Sequence, residues 1–327
     1  MPTHLIIGAG AGLVSAALFA SAATAAAIAG ILFYLSPLPL CLAGLGWGRS
    51  AALLAALTGT VVIAASLGPA TAAAFGLTIA APIALLTHLL LLSRQVPALQ
   101  GGAPASLEWY PPGRLVGWAS IIAGILAGLL VLVLGYDQES YRQSIRDLLD
   151  HSAFKELDRD GTIFTKETIE SLSVILAKAL PAAFAIVWLT IVLFNLWLAG
   201  IIVAASGRSL RPWPNLQDLE LPNVFVAIFA VAIMVSFVPG MIGLLATGLA
   251  GAMLFAYVLQ GLAVIHVYSR GVTLRWLLLT VVYLGILLLG WVALLVAIVG
   301  LGEPLFGLRA RSQGAQPPKT TKRTDNE

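Results

Sequence analysis

The stretch that most invites a chemical reading is ELDRDGTIFTKE, residues 156–167. An EF-hand loop places oxygen ligands for calcium at positions 1, 3, 5, 7, 9 and 12, with glycine at position 6. Here those positions hold Glu156, Asp158, Asp160, Thr162 (through its carbonyl), Phe164 and Glu167, with Gly161 sixth and apolar Ile163 eighth. Two departures weigh against a metal. Glu156 is longer than the aspartate a tight loop needs first, and Phe164 cannot hold the ligating water. There is no second loop to pair with. Asp-Gly is a common turn dipeptide, so an acidic turn between two surface helices is the preferred reading, and no metal is favoured.

The remaining candidates lie in apolar surroundings. They are His88, Lys178, Asn195, Gln260 and His266. An amide or imidazole in lipid must find a partner, so each should face other helices. Asn195 and Gln260 read first as interhelical hydrogen bonders. Lys178 lies about a turn before Pro181 and should snorkel to the interface. The four histidines show no metal-ligand spacing. The single Cys41 excludes an intrachain disulfide and any multi-cysteine metal site. No nucleophile motif, P-loop or dinucleotide fingerprint is found. The chain therefore reads as non-enzymatic, with no cofactor.

What must position these residues is membrane. The chain has 327 residues, 59% of them hydrophobic and 10% charged, against about 25% charged in a soluble domain. Its mean hydropathy is +0.96. A globule of this size has too little polar cover for so much apolar surface. Apolar runs fall at 5–27, 30–47, 51–67, 70–93, 115–135, 174–204, 222–239, 241–268 and 274–302. A spanning helix needs roughly 20 apolar residues. The expected fold is all-α: a polytopic transmembrane helical bundle of eight or nine segments, with a short amphipathic helical loop outside. No Asp or Glu falls within these runs, which argues against a proton-driven pump. The run with SPLPL should be short or broken, because proline removes a backbone donor. MPTHL carries no Lys or Arg, so the first run is taken as an uncleaved helix.

Arg49, Arg94, Arg114, Arg208, Arg211, Arg270 and Arg275 fall in loops on one side of an alternating path, beside Trp47, Trp109, Trp213 and Trp276. That side is expected to be cytoplasmic. The loop from Tyr136 to Leu172, with nine acidic and five basic side chains, then faces outward. In it Tyr141, Ile145, Leu148 and Leu149 share one helical face, which should lie on the membrane or cap the bundle. The organisation reads as membrane helices over 1–135, an extracytoplasmic acidic loop over 136–172, further membrane helices over 173–306 and a disordered basic tail over 307–327. A break near Gly290 would make the last run a re-entrant pair. The net charge of +3 does not argue for nucleic acid. The expected setting is the bacterial inner (cytoplasmic) membrane, with the lipid bilayer as first partner.

Three stretches carry a resemblance: PLPLCLAGLGWGRSAALLAAL (37–57), AYVLQGLAVIHVYSRG (256–271) and LGLGEPLFGLRARS (299–312). They resemble the YybS-like family of bacterial inner-membrane proteins. LPAAFAIVWLTIVLFNLWLAG (180–200) followed by RPWPNLQDLELP (211–222) looks like its proteobacterial branch. That family is distantly similar to the substrate-binding S components of energy-coupling-factor transporters. The resemblance implies an S-component-like first half over 1–135, whose first-helix small residues, Ala16 and Ala20, would meet a transmembrane partner. Gln260 and Gly261 are assigned to helix packing or a partner interface. It further implies binding or movement of a small molecule, with energy from a separate ATPase module or other membrane subunits. The pocket is expected on the outer side, at Pro37, Pro39, Lys178 and Asn195. The alternative is a non-transporting scaffold, assembly factor or regulator.

Overall fold

The computed structural model describes residues 3–24, 28–96, 106–151 and 166–306. About 83% of it is helical. Helix α1 (Thr3–Ala20) ends in a 3-10 turn at Ser21–Ala23. Helices α2 (Ala29–Tyr34) and α3 (Leu38–Trp47) form one interrupted span, followed by α4 (Arg49–Leu67). Helix α5 (Pro69–Phe75), a π turn at Gly76–Ala80 and α6 (Ala81–Leu90) form the next. Strands β1 (Ser93–Val96) and β2 (Ser106–Trp109) pair antiparallel, with Arg94 opposite Glu108 in a 2.7 Å ion pair. Then come α7 (Pro112–Leu134), α8 (Gln138–His151), α9 (Lys166–Ala205), α10 (Asn223–Ser236), α11 (Met241–Tyr268), α12 (Arg275–Leu289) and α13 (Val292–Phe306).

Seven of these units are long and apolar enough to cross a membrane, where the sequence pattern leads one to expect eight or nine. The difference lies in the C-terminal part. The run at 222–239 yields only the 14 residues of α10. At 1.5 Å per residue that is about 21 Å, short of a hydrocarbon core of about 30 Å. The run at 274–302 is divided at Gly290, whose φ of +59° closes α12, and each piece has 15 residues. The β1–β2 hairpin is a second difference, because the reading from sequence had no strand there.

Glycines set how closely the helices meet. A Cβ on Gly8 would lie 2.8 Å from the Ala51 carbonyl oxygen, and one on Gly12 would strike Ala55 and Gly59 of α4. Gly124 and Gly248 play the same part between α7 and α11, and Gly251 does so against Ala182 of α9. Lipid gives no hydrophobic drive between helices, so association rests on such close packing and on hydrogen bonds. One core cluster joins α1, α3, α4, α6, α7 and α9; a second joins α7, α10, α11 and α13.

Helix α8 caps the far end of the bundle. Tyr141, Ile145 and Leu149 are buried against Val131, Ala177 and Leu244. Leu148, expected on that face, is 54% exposed, because it falls at the edge of the buried arc. Arg146 ties the cap down through Glu170 of α9 at 2.7 Å and pairs within α8 with Glu139 at 3.3 Å. Burial pushes the Tyr141 hydroxyl up to about 12.

Candidate functional site: capped helix breaks and a lipid-facing groove

Several polar side chains inside the bundle serve helix breaks, and the chemistry of proline explains why. Pro37 and Pro39 have no N–H to donate, so the chain turns between α2 and α3. The turn uses Leu38 N–H for the Leu35 carbonyl, at 3.0 Å. Two other carbonyls are met from neighbouring helices. Asn195 Nδ2 of α9 donates to Tyr34 O at 2.9 Å, and Ser15 Oγ of α1 donates to Ser36 O at 2.6 Å. Asn195 Nδ2 also donates to Ile191 O at 2.8 Å. Both of its acceptors are carbonyls, which fixes the amide orientation. Asn195 Oδ1 and Ser36 Oγ are buried with no hydrogen-bond partner.

The same device recurs twice. Pro82 leaves the Thr78 carbonyl without its i+4 donor, and Trp188 Nε1 of α9 donates to it at 2.7 Å. Pro304 does this to the Gly300 carbonyl, and Gln260 Nε2 of α11 donates to it at 2.9 Å. Gln260 Oε1 in turn accepts from Leu221 N–H at 2.7 Å, just before Pro222. One buried amide therefore pins α11, α13 and the segment leading into α10. Beside it Gly261 packs so closely that a Cβ would strike the Val296 carbonyl.

Of the four residues expected to line an outer pocket, Asn195 meets the α2–α3 turn through Tyr34, three residues before the buried Pro37, and Pro39 is half-buried two residues further on. Lys178 is apart from them. It is exposed on α9 nearly five turns before Asn195, about 25 Å along the axis. Ala16 is 1% exposed within the bundle, and Ala20 packs partly buried against the same cluster. Glu156, Asp158, Asp160 and Thr162 lie outside the described residues, while Glu167 opens α9. Among the described residues no three metal-ligating side chains cluster.

One residue was missed. Glu303 sits in α13 at 5% exposure, on the face that carries Val296 and Gly300. The last apolar run, drawn to residue 302, stops one short of it. The signal was present in GEPLF, whose apolar end continues the helix past the carboxylate.

A groove of about 990 Å³ runs along the outside of the bundle between α4 and the α5–α6 span. Its floor is small: Ala56, Ala72, Ala80 and Ala84 are buried, and Gly76 sits in the π turn. Leu53, Leu57, Leu77 and Leu85 stand exposed as its walls. Arg49 and His88 close one end. That end belongs to the arginine-rich face. Arg208 stacks on Trp47, with 5.3 Å from guanidinium to ring, and Arg211 lies 5.4 Å over Trp109. Arg211 is 6% exposed and donates to the Leu90 carbonyl at 2.7 Å. Burial pushes its pKa down from the usual guanidinium value. Between its ends the lining holds a single hydroxyl, that of Thr60, which donates to the Ala56 carbonyl at 2.8 Å. The rest of its lining is apolar.

These features define a multi-pass helical membrane protein with buried polar groups at several helix breaks and an apolar groove along its outside. A family described as "Predicted membrane protein (DUF2232)" matches residues 13–302, and the chain belongs to that family. No curated protein and no solved structure matches it.

Proposed function

We propose that this protein is a non-catalytic binding protein of the bacterial inner membrane, which takes a small amphiphilic molecule from the lipid phase and hands it on or moves it. The groove between α4 and the α5–α6 span carries this reading. A ligand pocket in a membrane protein should be concave and mostly apolar, with a few polar groups placed to orient the ligand. The groove has that make-up, with Arg49 and His88 at one mouth and the Thr60 hydroxyl part-way along.

The resemblance to the YybS-like family, and through it to S components, supports a role in small-molecule movement with a partner that supplies energy. The small face of α1 is turned inward onto α4, so a partner subunit would have to dock elsewhere. A second reading, as a scaffold or assembly factor, is favoured by α12. That helix has no buried residue, and Trp276, Val281, Leu287 and Leu288 all point away from the bundle.

The test is purification of the intact protein in mild detergent with mass spectrometry of everything that accompanies it. The binding reading expects a defined small amphiphile at near-stoichiometric amount. That amphiphile should be lost when Ala73, an exposed groove residue, is changed to tryptophan. An envelope protein retained through α12, with no such amphiphile, would move the assignment to a scaffold.

A further inference from the structure

We infer that the groove between α4 and the α5–α6 span takes an anionic phospholipid, its headgroup phosphate held by Arg49 and His88 and its chain lying along the alanine floor. The inference rests on the binding reading above and names the ligand class.

Three observations carry it. The first is depth. Arg49 follows Trp47 by two residues across the Gly48 turn, and Leu210 packs on that turn. His88 precedes by two residues the Leu90 carbonyl that receives Arg211. Tryptophan and arginine at a helix end mark headgroup level. The mouth therefore lies where lipid phosphates lie.

The second is charge. Arg49 is exposed, and among the described residues it makes no ion pair. Arg208 and Arg211 face Trp47 and Trp109, whereas Arg49 lines the groove with His88. A guanidinium fork matches a phosphate in two hydrogen bonds, and an imidazole N–H adds a third. The third is direction. The groove follows α4, whose 19 residues extend about 28 Å, close to the thickness of a hydrocarbon core. A lipid chain held there keeps the orientation it has in the bilayer. The π turn contributes by placing Gly76 opposite Thr60, where a notional Cβ still has 3.6 Å to the nearest methyl, so the floor stays low.

The experiment uses full-length protein in nanodiscs of equimolar phosphatidylglycerol and phosphatidylcholine, extracted and examined by native mass spectrometry. Wild type is expected to retain one phosphatidylglycerol in several-fold preference over phosphatidylcholine. Arg49→Gln should cut that preference by about fivefold, the effect of one basic side chain at an anionic surface. His88→Gln should cut it less. Ala73→Trp fills the groove from an exposed position and should abolish retention. Ile125→Trp, on the lipid-facing side of α7, is the folding control and should retain lipid normally. If Ala73→Trp removes bound lipid but both lipids are held equally and Arg49→Gln changes nothing, the headgroup assignment is overturned while the groove stays a binding site. If Ala73→Trp leaves retention intact in a monodisperse protein, both the lipid inference and the binding reading fall. A second copy of the chain seated in the groove in place of lipid, seen as a lipid-free dimer that Ala73→Trp dissociates, overturns both as well.

Discussion

The seam between α11 and α13 and the groove beside α4 are both built from small residues along apolar helices, yet they are opposite in kind. At the seam a Cβ on Gly261 would strike the Val296 carbonyl, and one on Gly300 would strike the Tyr257 carbonyl. Backbone meets backbone, and the carbonyl that Pro304 frees is taken up by Gln260. In the groove Gly76 has room for a methyl, and the alanine floor, buried where α4 meets the α5–α6 span, has no third helix among its lining residues. Small residues in lipid thus mean two things. Where a further helix lies over them they are contact surface, and where none does they leave a groove. The sequence pattern alone does not separate the two.

The largest expected effect comes from filling the seam. Gly261→Leu must push α13 off α11, with no flexible side chain there to yield. Overpacking a tight core costs typically about 1–3 kcal/mol, and a clash with backbone belongs at or above the top of that range. The protein should lose its monodisperse peak in size-exclusion chromatography and melt well below wild type. Gly76→Leu, the same change in the groove, should leave the melting temperature within a few degrees. Equal losses from the two would erase the distinction.

Next in size is Gln260→Leu. It keeps the volume and leaves two buried groups, Leu221 N–H and Gly300 C=O, without partners. Deleting one partner of a buried pair costs about 1–3 kcal/mol, though membrane proteins recover part of that by finding substitutes. A loss of about 1–2 kcal/mol in reversible denaturation in detergent is expected. Asn195→Leu should cost less, because its Oδ1 carries no partner in the first place. Trp188→Phe should cost least of the three, about 0.5–1 kcal/mol, since the ring stays and only the bond to Thr78 O is lost. A Gln260 variant as stable as wild type would mean that glycine packing alone holds the seam.

Much of this was legible before the structure. The run lengths place the long helices, and SPLPL announces the break that Pro37 and Pro39 produce. Asn195 and Gln260 stand out because an amide in lipid needs a partner. What the one-dimensional pattern hides is which partner. Each amide serves a carbonyl freed by a proline far away in sequence, Tyr34 for Asn195 and Gly300 for Gln260. Those pairings exist only after the helices are packed. The C-terminal run shows a second limit. Hydropathy does not register a single positive-φ glycine and reads the run as one span; the break expected near Gly290 comes from the residue itself, and the structure divides the run there. Glu303 shows a third: a window ending at the first charge stops before the apolar PLF that follows it. The groove was invisible for the reason already given, since Ala56, Ala72 and Ala80 look like any packing face.

The smallest expected effect lies outside the membrane, where the α8 cap contrasts with both apolar surfaces in depending on charge. Asp137 precedes α8 and accepts from Ser140 N–H at 2.7 Å, while Asp137 N–H donates to Ser140 Oγ at 3.1 Å. This reciprocal cap satisfies orphan donors at the helix start. The backbone bond from Ser140 first, and its hydroxyl second, hold the Asp137 carboxyl below its usual pKa. A carboxylate whose pKa falls on folding stabilises the fold above its unfolded value, near 3.9, and loses that contribution as pH drops through the folded value. Amide-exchange protection in α8, corrected for intrinsic rates, should therefore hold steady from pH 7 down to about 4 and decline below it. Asn also caps helices well, so Asp137→Asn should keep the protection at neutral pH and flatten the decline. If that variant falls off with acid just as wild type does, the pH sensitivity belongs to Glu139 and Glu170 with Arg146, and the helix cap is a bystander.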